Sequence, residues 1–271
     1  MRILAIGDVT GRSGREAVEN NLPVLRDKLS PDFVILSGDN AAHGFGITGK
    51  ICRQFYNMGI DCITAGNHVW DQREIIAYID GDPKLLRPLN YPQGTPGRGY
   101  LLHTLADGRK IMVVHLAGCT FMEALDDPFA AAMDIVSRHP LGRAAQSIVV
   151  DFHGEATSEK MAFAQYMDGR VSAVIGTHTH IPTADAHIMN GGSAYQTDLG
   201  MTGDYNSVIG MDREIPLKKF VRKLPGDRMF PAGGEGTFCG TFIVTNDKTG
   251  LAESIESVVT GPRLKNNIPE C

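Results

Sequence analysis

Short apolar runs alternate along the chain with longer stretches of helical spacing. Residues 3–6, 33–36, 62–63 and 171–175 are almost wholly apolar, as expected of strands buried on both faces. Between the early runs, 16–29 has helical spacing, with Pro23 near its middle as an expected break or kink. Residues 48–58 predict a helix with Thr48 as N-cap, and 71–79 another opened by an Asp cap. Such alternation predicts a parallel sheet covered by helices.

The later pattern changes. Residues 85–99 are rich in Pro and Gly and predict a surface loop. Strands at 100–105 and 110–115 are joined by Ala106-Asp107-Gly108-Arg109, a hairpin signal. A helix at 128–137, a strand at 147–152 and a helix at 158–167 capped by Thr157 or Ser158 follow. Further strands are expected at 184–189, 193–195, 240–244 and 255–259. No repeat, low-complexity tract or linker forces a cut, so residues 1–271 read as one α/β domain with a two-layered sheet core flanked by helices.

Composition narrows the class without naming a chemistry. A chain that is 42% apolar and 21% charged matches globular proteins, and its length permits a substantial core. A net charge of -5 offers no footprint for general nucleic-acid binding, although cations in a site can still recruit an anionic substrate. The amino terminus turns polar too early for a signal peptide and no apolar run has membrane-spanning length, so a cytoplasmic protein is expected. Cys52, Cys62, Cys119, Cys239 and Cys271 form no C-x-x-C pair, which fits reduced thiols. The first four are expected in the core and Cys271 exposed.

The chemistry lies where the apolar runs stop. Gly7-Asp8, Gly38-Asp39-Asn40, Gly66-Asn67-His68 and Gly176-Thr177-His178-Thr179-His180 each follow such a run. The carboxyl edge of an open α/β sheet is where ligands bind, so these segments are expected to converge. Their carboxylate, amide and imidazole groups are the donors of a metal centre. If the last segment stays extended, His178 and His180 point to one side. His153 closes a further strand and joins the ligand candidates. Asp8 can also serve as a helix cap, and Asp71 can either orient His68 or cap a helix. His68 itself, with an ordinary pKa of about 6.5, suits proton donation to a leaving oxygen. His43 is expected to touch substrate, His103, His139 and His187 to pack or face solvent, and His115 has no assigned role. Residues 196–203 and 210–213 are expected to shape the substrate pocket, with Arg213 either a phosphate contact or a solvated side chain.

These segments resemble the calcineurin-like metallophosphoesterase superfamily, whose motifs run D-x-H, G-D, G-N-H, H and G-H-x-H. The matching stretches are Asp8-Val9-Thr10, Gly38-Asp39, Gly66-Asn67-His68, His153 and Gly176-Thr177-His178-Thr179-His180. Thr10 stands where a histidine ligand is usual, and Asn40 is a donor able to replace it. With Gly66-Asn67-His68-Val69-Trp70-Asp71 and Thr197-Asp198-Leu199-Gly200-Met201-Thr202-Gly203, the chain is similar to the bacterial YmdB-like branch from residue 1 to about 259. That branch more often carries Glu at the position of Asp39.

The resemblance implies a four-layered α/β/β/α sandwich of mixed sheets flanked by helices, and a homo-oligomer. It implies two divalent or trivalent metal ions, iron or manganese, with zinc also suited to the donors. One would take Asp8, Asp39, Asn40 and His180, the other Asp39, Asn67, His153 and His178, with His68 as the acid. The implied activity is phosphodiester hydrolysis by a bridging hydroxide nucleophile, on substrates including 2′,3′-cyclic nucleotides. A low-turnover metal- or nucleotide-sensing regulator and a phosphomonoesterase are the rival expectations.

Overall fold

The computed structural model describes residues 1–270; Cys271 lies outside them. In chain order the first elements are β1 (Arg2–Ile6), β2 (Asp8–Val9), α1 (Gly11–Leu29), β3 (Phe33–Ser37), α2 (Gly49–Asn57) and β4 (Cys62–Thr64). Next come α3 (Ile75–Tyr78), β5 (Leu85–Leu86), β6 (Tyr100–Thr104), β7 (Lys110–Ala117), α4 (Pro128–Arg138) and β8 (Ser147–His153). The chain continues through α5 (Thr157–Met167), β9 (Ala173–Thr177), β10 (His187–Ile188), β11 (Ala194–Gln196) and β12 (Met201–Thr202). It closes with α6 (Glu214–Arg222), β13 (Phe238–Thr245) and β14 (Ala252–Thr260).

Two six-stranded mixed sheets form, in the orders β14-β13-β1-β3-β4-β5 and β10-β11-β9-β8-β7-β6. Side-chain alternation makes them two layers of four. In the first sheet Leu4, Ile6, Val34 and Leu36 point outward to meet Val18, Leu22 and Leu25 of α1 and Phe55 of α2. Their neighbours Ile3, Ala5, Phe33 and Ile35 point inward to meet Ile111, Val113, Val149 and Ala173 of the second sheet. The second sheet turns Met112, Val114, Ile148 and Val150 outward, onto Ala132 and Ile135 of α4 and Phe163 of α5. The result is the α/β/β/α layering and the mixed sheets that the resemblance implied.

Local departures have local causes. α1 starts at Gly11, five residues before the expected start, and runs through Pro23 without breaking. A proline inside a helix costs about 3 kcal/mol. Here Pro23 and Glu19, whose carbonyl loses its partner, lie on the solvent face, while Leu22 and Leu25 beside them are buried against the sheet. The helix expected over 71–79 shrinks to α3 and a 3₁₀ turn over Ile79–Gly81. Upstream of it Gln72 Nε2 donates 2.7 Å to the Phe45 carbonyl, tying that segment to a loop. The loop expected at 85–99 contains edge strand β5, and α5 begins after Ala156 without a side-chain cap. The strand expected over 184–189 is reduced to β10. Cys52, Cys62 and Cys239 are buried as free thiols, whereas Cys119 is only half-buried.

Candidate metal centre

β1, β3, β4, β8 and β9 end along one edge, and the turns after them carry the expected donors. Asp8, in β2 just past β1, is fully buried. Its Oδ1 accepts 2.6 Å from the Ser37 hydroxyl and its Oδ2 accepts 2.8 Å from the His178 backbone N–H, so it caps no helix. Asp39 follows β3; its Oδ1 accepts 3.0 Å from the His68 N–H, while its buried Oδ2 has no hydrogen-bond partner. That oxygen lies 3.3 Å from His153 Nε2, out of line for a hydrogen bond.

The tautomer of His153 follows from its other neighbours. Thr177 Oγ1 donates 2.8 Å to Asp151 Oδ1, so it accepts, at 2.9 Å, from His153 Nδ1. In the neutral ring the His153 Nε2 lone pair then faces Asn67 Oδ1 at 2.9 Å, His178 Nδ1 at 3.1 Å and Asp39 Oδ2 at 3.3 Å. A second convergence of the same kind joins Asn40 and His180. Asn40 Nδ2 donates 3.0 Å to the Gly44 carbonyl and His180 Nδ1 donates 2.8 Å to the Ile209 carbonyl. What remains, Asn40 Oδ1 and His180 Nε2, face each other at 3.2 Å, acceptor to acceptor. Lone pairs crowded in this way, around an orphaned buried carboxylate oxygen, suit cations. Among the described residues no three His, Cys, Asp or Glu side chains form a cage by themselves. Each cluster includes an asparagine oxygen, and the mixed oxygen and nitrogen donor set fits iron, manganese or zinc.

Burial and charge oppose each other here. Burial raises the Asp8 carboxyl above its ordinary value, against the pull of His153 and His180. Asp39 is equally buried, yet the adjacent His153 outweighs burial and holds it down at about 2. Burial works against a charged His153, but Asp39 and Asp8 prevail and lift it to about 9. His178, desolvated and beside His153, falls to about 3.

The backbone makes this crowding possible. β9 ends at Thr177, and His178 and His180 have φ of 99° and 68°, so the segment is not extended as the sequence pattern suggested. The two imidazoles serve different clusters instead of sharing one side. Gly66 must lack a side chain, since a Cβ there would sit 2.3 Å from His153 Nε2. Thr10 takes no part: its hydroxyl donates 3.2 Å to the Asp8 carbonyl and it is buried beneath Gly210.

His68 stands at the mouth of a cavity of about 450 Å³. Its Nδ1 lies 2.8 Å from Asp71 Oδ2, and the Phe45 ring meets its edge, centroids 5.1 Å apart. Asp71 therefore orients His68 and opens no helix. The cavity is lined by Asp39, Asn40, His178 and His180 below and by Phe45, Ile209, Met211, Lys219 and Phe220 around. Residues 196–203, expected in the pocket wall, do not line it; Asp198 and Gly200 brace the site from behind, Gly200 by accepting 3.1 Å from the Asp8 N–H. His43 and Arg213 are exposed and line no part of the cavity, and His115 is buried 3.2 Å from Asp151. Lys219 and Phe220 were missed because α6 carries no motif; its amphipathic pattern marks a helix but not a cavity wall.

Residues 4–258 match the family described as YmdB-like protein. A 2′,3′-cyclic-nucleotide 2′-phosphodiesterase of Bacillus subtilis (strain 168) is 47% identical over 259 residues, spanning 96% of this chain and 97% of that protein. The crystal structure of a hypothetical protein from Thermus thermophilus is similar at TM-score 0.89 and 42% identity, over 96% of this chain and 99% of that one. That of a Mycoplasma pneumoniae phosphatase is similar at TM-score 0.90 and 32% identity, over 96% of this chain and 93% of that one. With its whole fold and nearly all its length shared in this way, the chain belongs to the YmdB-like protein family.

Proposed function

We propose that the chain is a metal-dependent phosphodiesterase that opens 2′,3′-cyclic nucleotides at the floor of the cavity above Asp39. The observation that carries this reading is the convergence of Asp39 Oδ2, Asn67 Oδ1, His153 Nε2 and His178 Nδ1, beside a cavity that the His68 imidazole also lines. Similarity to the Bacillus subtilis phosphodiesterase supports it.

Asp39, Asn67, His153 and His178 would hold one cation, and Asp8, Asn40 and His180, with Asp39 shared, a second. Cations bound there supply Lewis-acid stabilisation of the phosphoryl oxygens and make coordinated water acidic. Thr177 and Asp151 keep the His153 Nε2 lone pair directed into the site. His68 is anchored through Nδ1 by Asp71, which leaves Nε2 to protonate the departing ribose oxygen. Phe45, Ile209 and Met211 supply apolar walls that limit water around the reacting phosphate.

The test is elemental analysis of the isolated protein for iron, manganese and zinc, followed by assay of manganese-loaded protein. The substrates are 2′,3′-cyclic AMP, bis-(p-nitrophenyl) phosphate and p-nitrophenyl phosphate. Faster turnover of the diesters is expected. Turnover of the monoester alone would make the protein a phosphatase, and metal-loaded protein without turnover would make it a sensor.

A further inference from the structure

Phe220 and Lys219 belong to two cavities at once. They line the 450 Å³ cavity above the metal-ligand candidates, and they also line an adjoining groove of about 350 Å³ with Lys223, Leu224 and Pro225. The first cavity takes in the polar cluster at Asp39 and His178; the second lies at the carboxyl end of α6, and Phe220 lines both. Phe220 is 66% exposed and has no ring partner among the described residues. An aromatic face left open between two cavities suits the stacking of a flat ligand.

Charge indicates what that ligand carries. Over 213–228 the chain has Arg213, Lys218, Lys219, Arg222, Lys223 and Arg228 against Glu214 and Asp227, in a protein of net charge -5. The ammonium groups of Lys219 and Lys223 have no carboxylate partner among the described residues. Lys219 lies in the last turn of α6, and Lys223 is the left-handed residue that caps the helix, its N–H bonded to the Lys219 carbonyl; both line the outer groove. A mononucleotide with a 2′,3′-cyclic phosphate has one phosphate, which the reaction requires at the metal-ligand cluster. It would leave Lys223 and the outer groove unused. A chain of nucleotides ending in that cyclic phosphate has a further phosphodiester and base to place there.

We propose that the outer groove is a subsite for the penultimate nucleotide of an oligoribonucleotide, so that the enzyme acts on 2′,3′-cyclic phosphate ends of RNA fragments. The inference rests on the phosphodiesterase reading above. The terminal base occupies the inner cavity beside Phe45, the penultimate base stacks on Phe220, and its phosphate lies against Lys219 and Lys223. At the terminus, water oxygen bonds to phosphorus and one phosphorus–oxygen bond to ribose breaks. One proton of that water ends on the freed ribose hydroxyl through His68, the other passes to solvent, and a terminal phosphomonoester remains. The cationic groove is confined to one helix, consistent with recognition of a short single strand at its end and with the absence of a general nucleic-acid footprint.

The experiment compares kcat/KM of manganese-loaded protein on 2′,3′-cyclic AMP and on a tri-adenylate ending in a 2′,3′-cyclic phosphate. A preference for the trinucleotide of about tenfold or more is expected, shrinking as salt is raised from 50 to 200 mM. Lys223→Gln, which removes an exposed charge, is expected to lower that preference several-fold, through KM of the trinucleotide. Equal kcat/KM on both substrates, or a preference that Lys223→Gln does not alter, overturns the subsite while leaving the phosphodiesterase reading intact. No turnover of either substrate overturns both.

Discussion

The Lys160 ammonium is 2.8 Å from Asp198 Oδ2, and both side chains are buried behind the turn that carries His178 and His180. Lys160 also donates 2.7 Å to the Thr177 carbonyl, and the same Asp198 oxygen accepts from the Thr179 N–H at 3.0 Å and hydroxyl at 2.8 Å. The pair therefore clamps both ends of the turn in which His178 has positive φ. Strained backbone of this kind persists only where its surroundings over-determine it.

Removing one member of a buried ion pair leaves an uncompensated charge, at a cost of about 3–5 kcal/mol. Lys160→Met is therefore expected to lower the denaturant midpoint strongly and to reduce metal content, because the His178 turn loosens. Adding Asp198→Asn to it should recover part of the stability without restoring metal. A single variant as stable as the parent would remove the clamp.

His68 touches the site through its backbone N–H to Asp39 but keeps its imidazole for the cavity. His68→Ala should retain metal by elemental analysis and lose roughly 10²–10⁴-fold in turnover of 2′,3′-cyclic AMP. Asp71→Asn should cost less, since it alters only the orientation and charge of the imidazole. Turnover unchanged in His68→Ala would strip the imidazole of its role as acid.

Gly66→Ala tests the packing that brings His153 against the other donors. The added methyl would lie 2.3 Å from His153 Nε2, and the ring has buried neighbours on its other sides. Loss of most bound metal with the fold retained, read by elemental analysis and far-UV circular dichroism, is the expected result. Full metal occupancy would mean that His153 is not a ligand.

In metal-free protein His153 takes up a second proton, on Nε2, because the Asp39 carboxylate 3.3 Å away favours the charged ring. The raised His153 value, about 9 against 6.5, makes its contribution to stability complete below pH 6.5 and lost as pH rises through 9. The depressed Asp39 value, about 2 against 3.8, makes the carboxylate's contribution complete above pH 3.8 and lost as pH falls through 2. Metal must displace the His153 proton, so binding should release protons at pH 7.5 and tighten toward pH 9. Titration calorimetry with manganese in two buffers of different ionisation enthalpy measures that release. A buffer-independent heat would contradict it.

The residues that converge at the candidate site were legible because their signals are short-range. An apolar run that stops at Asp8, Asp39 or Asn67 carries its polar group to the strand's end by backbone geometry alone, and those strands lie side by side in one parallel array. The Asp71 alternatives were not resolvable in this way, because a carboxylate three residues after His68 can reach either the ring or a helix end.

What depended on tertiary structure is of longer range. Asp8 meets the His178 N–H across 170 residues, Asn40 meets His180 across 140, and Lys160 meets Asp198 across 38. Such pairings exist only after both sheets have packed through Ile3, Phe33, Val113 and Val149. The same holds for the positive φ of His178, for Pro23 inside an unbroken α1, and for α6 at the cavity. Strand and helix periods are written in neighbouring residues, so the sequence alone determined the layers and the donor types. Which donors share a cluster, and which helix walls the cavity, follow from packing energies summed over distant segments, and only the folded chain decides them.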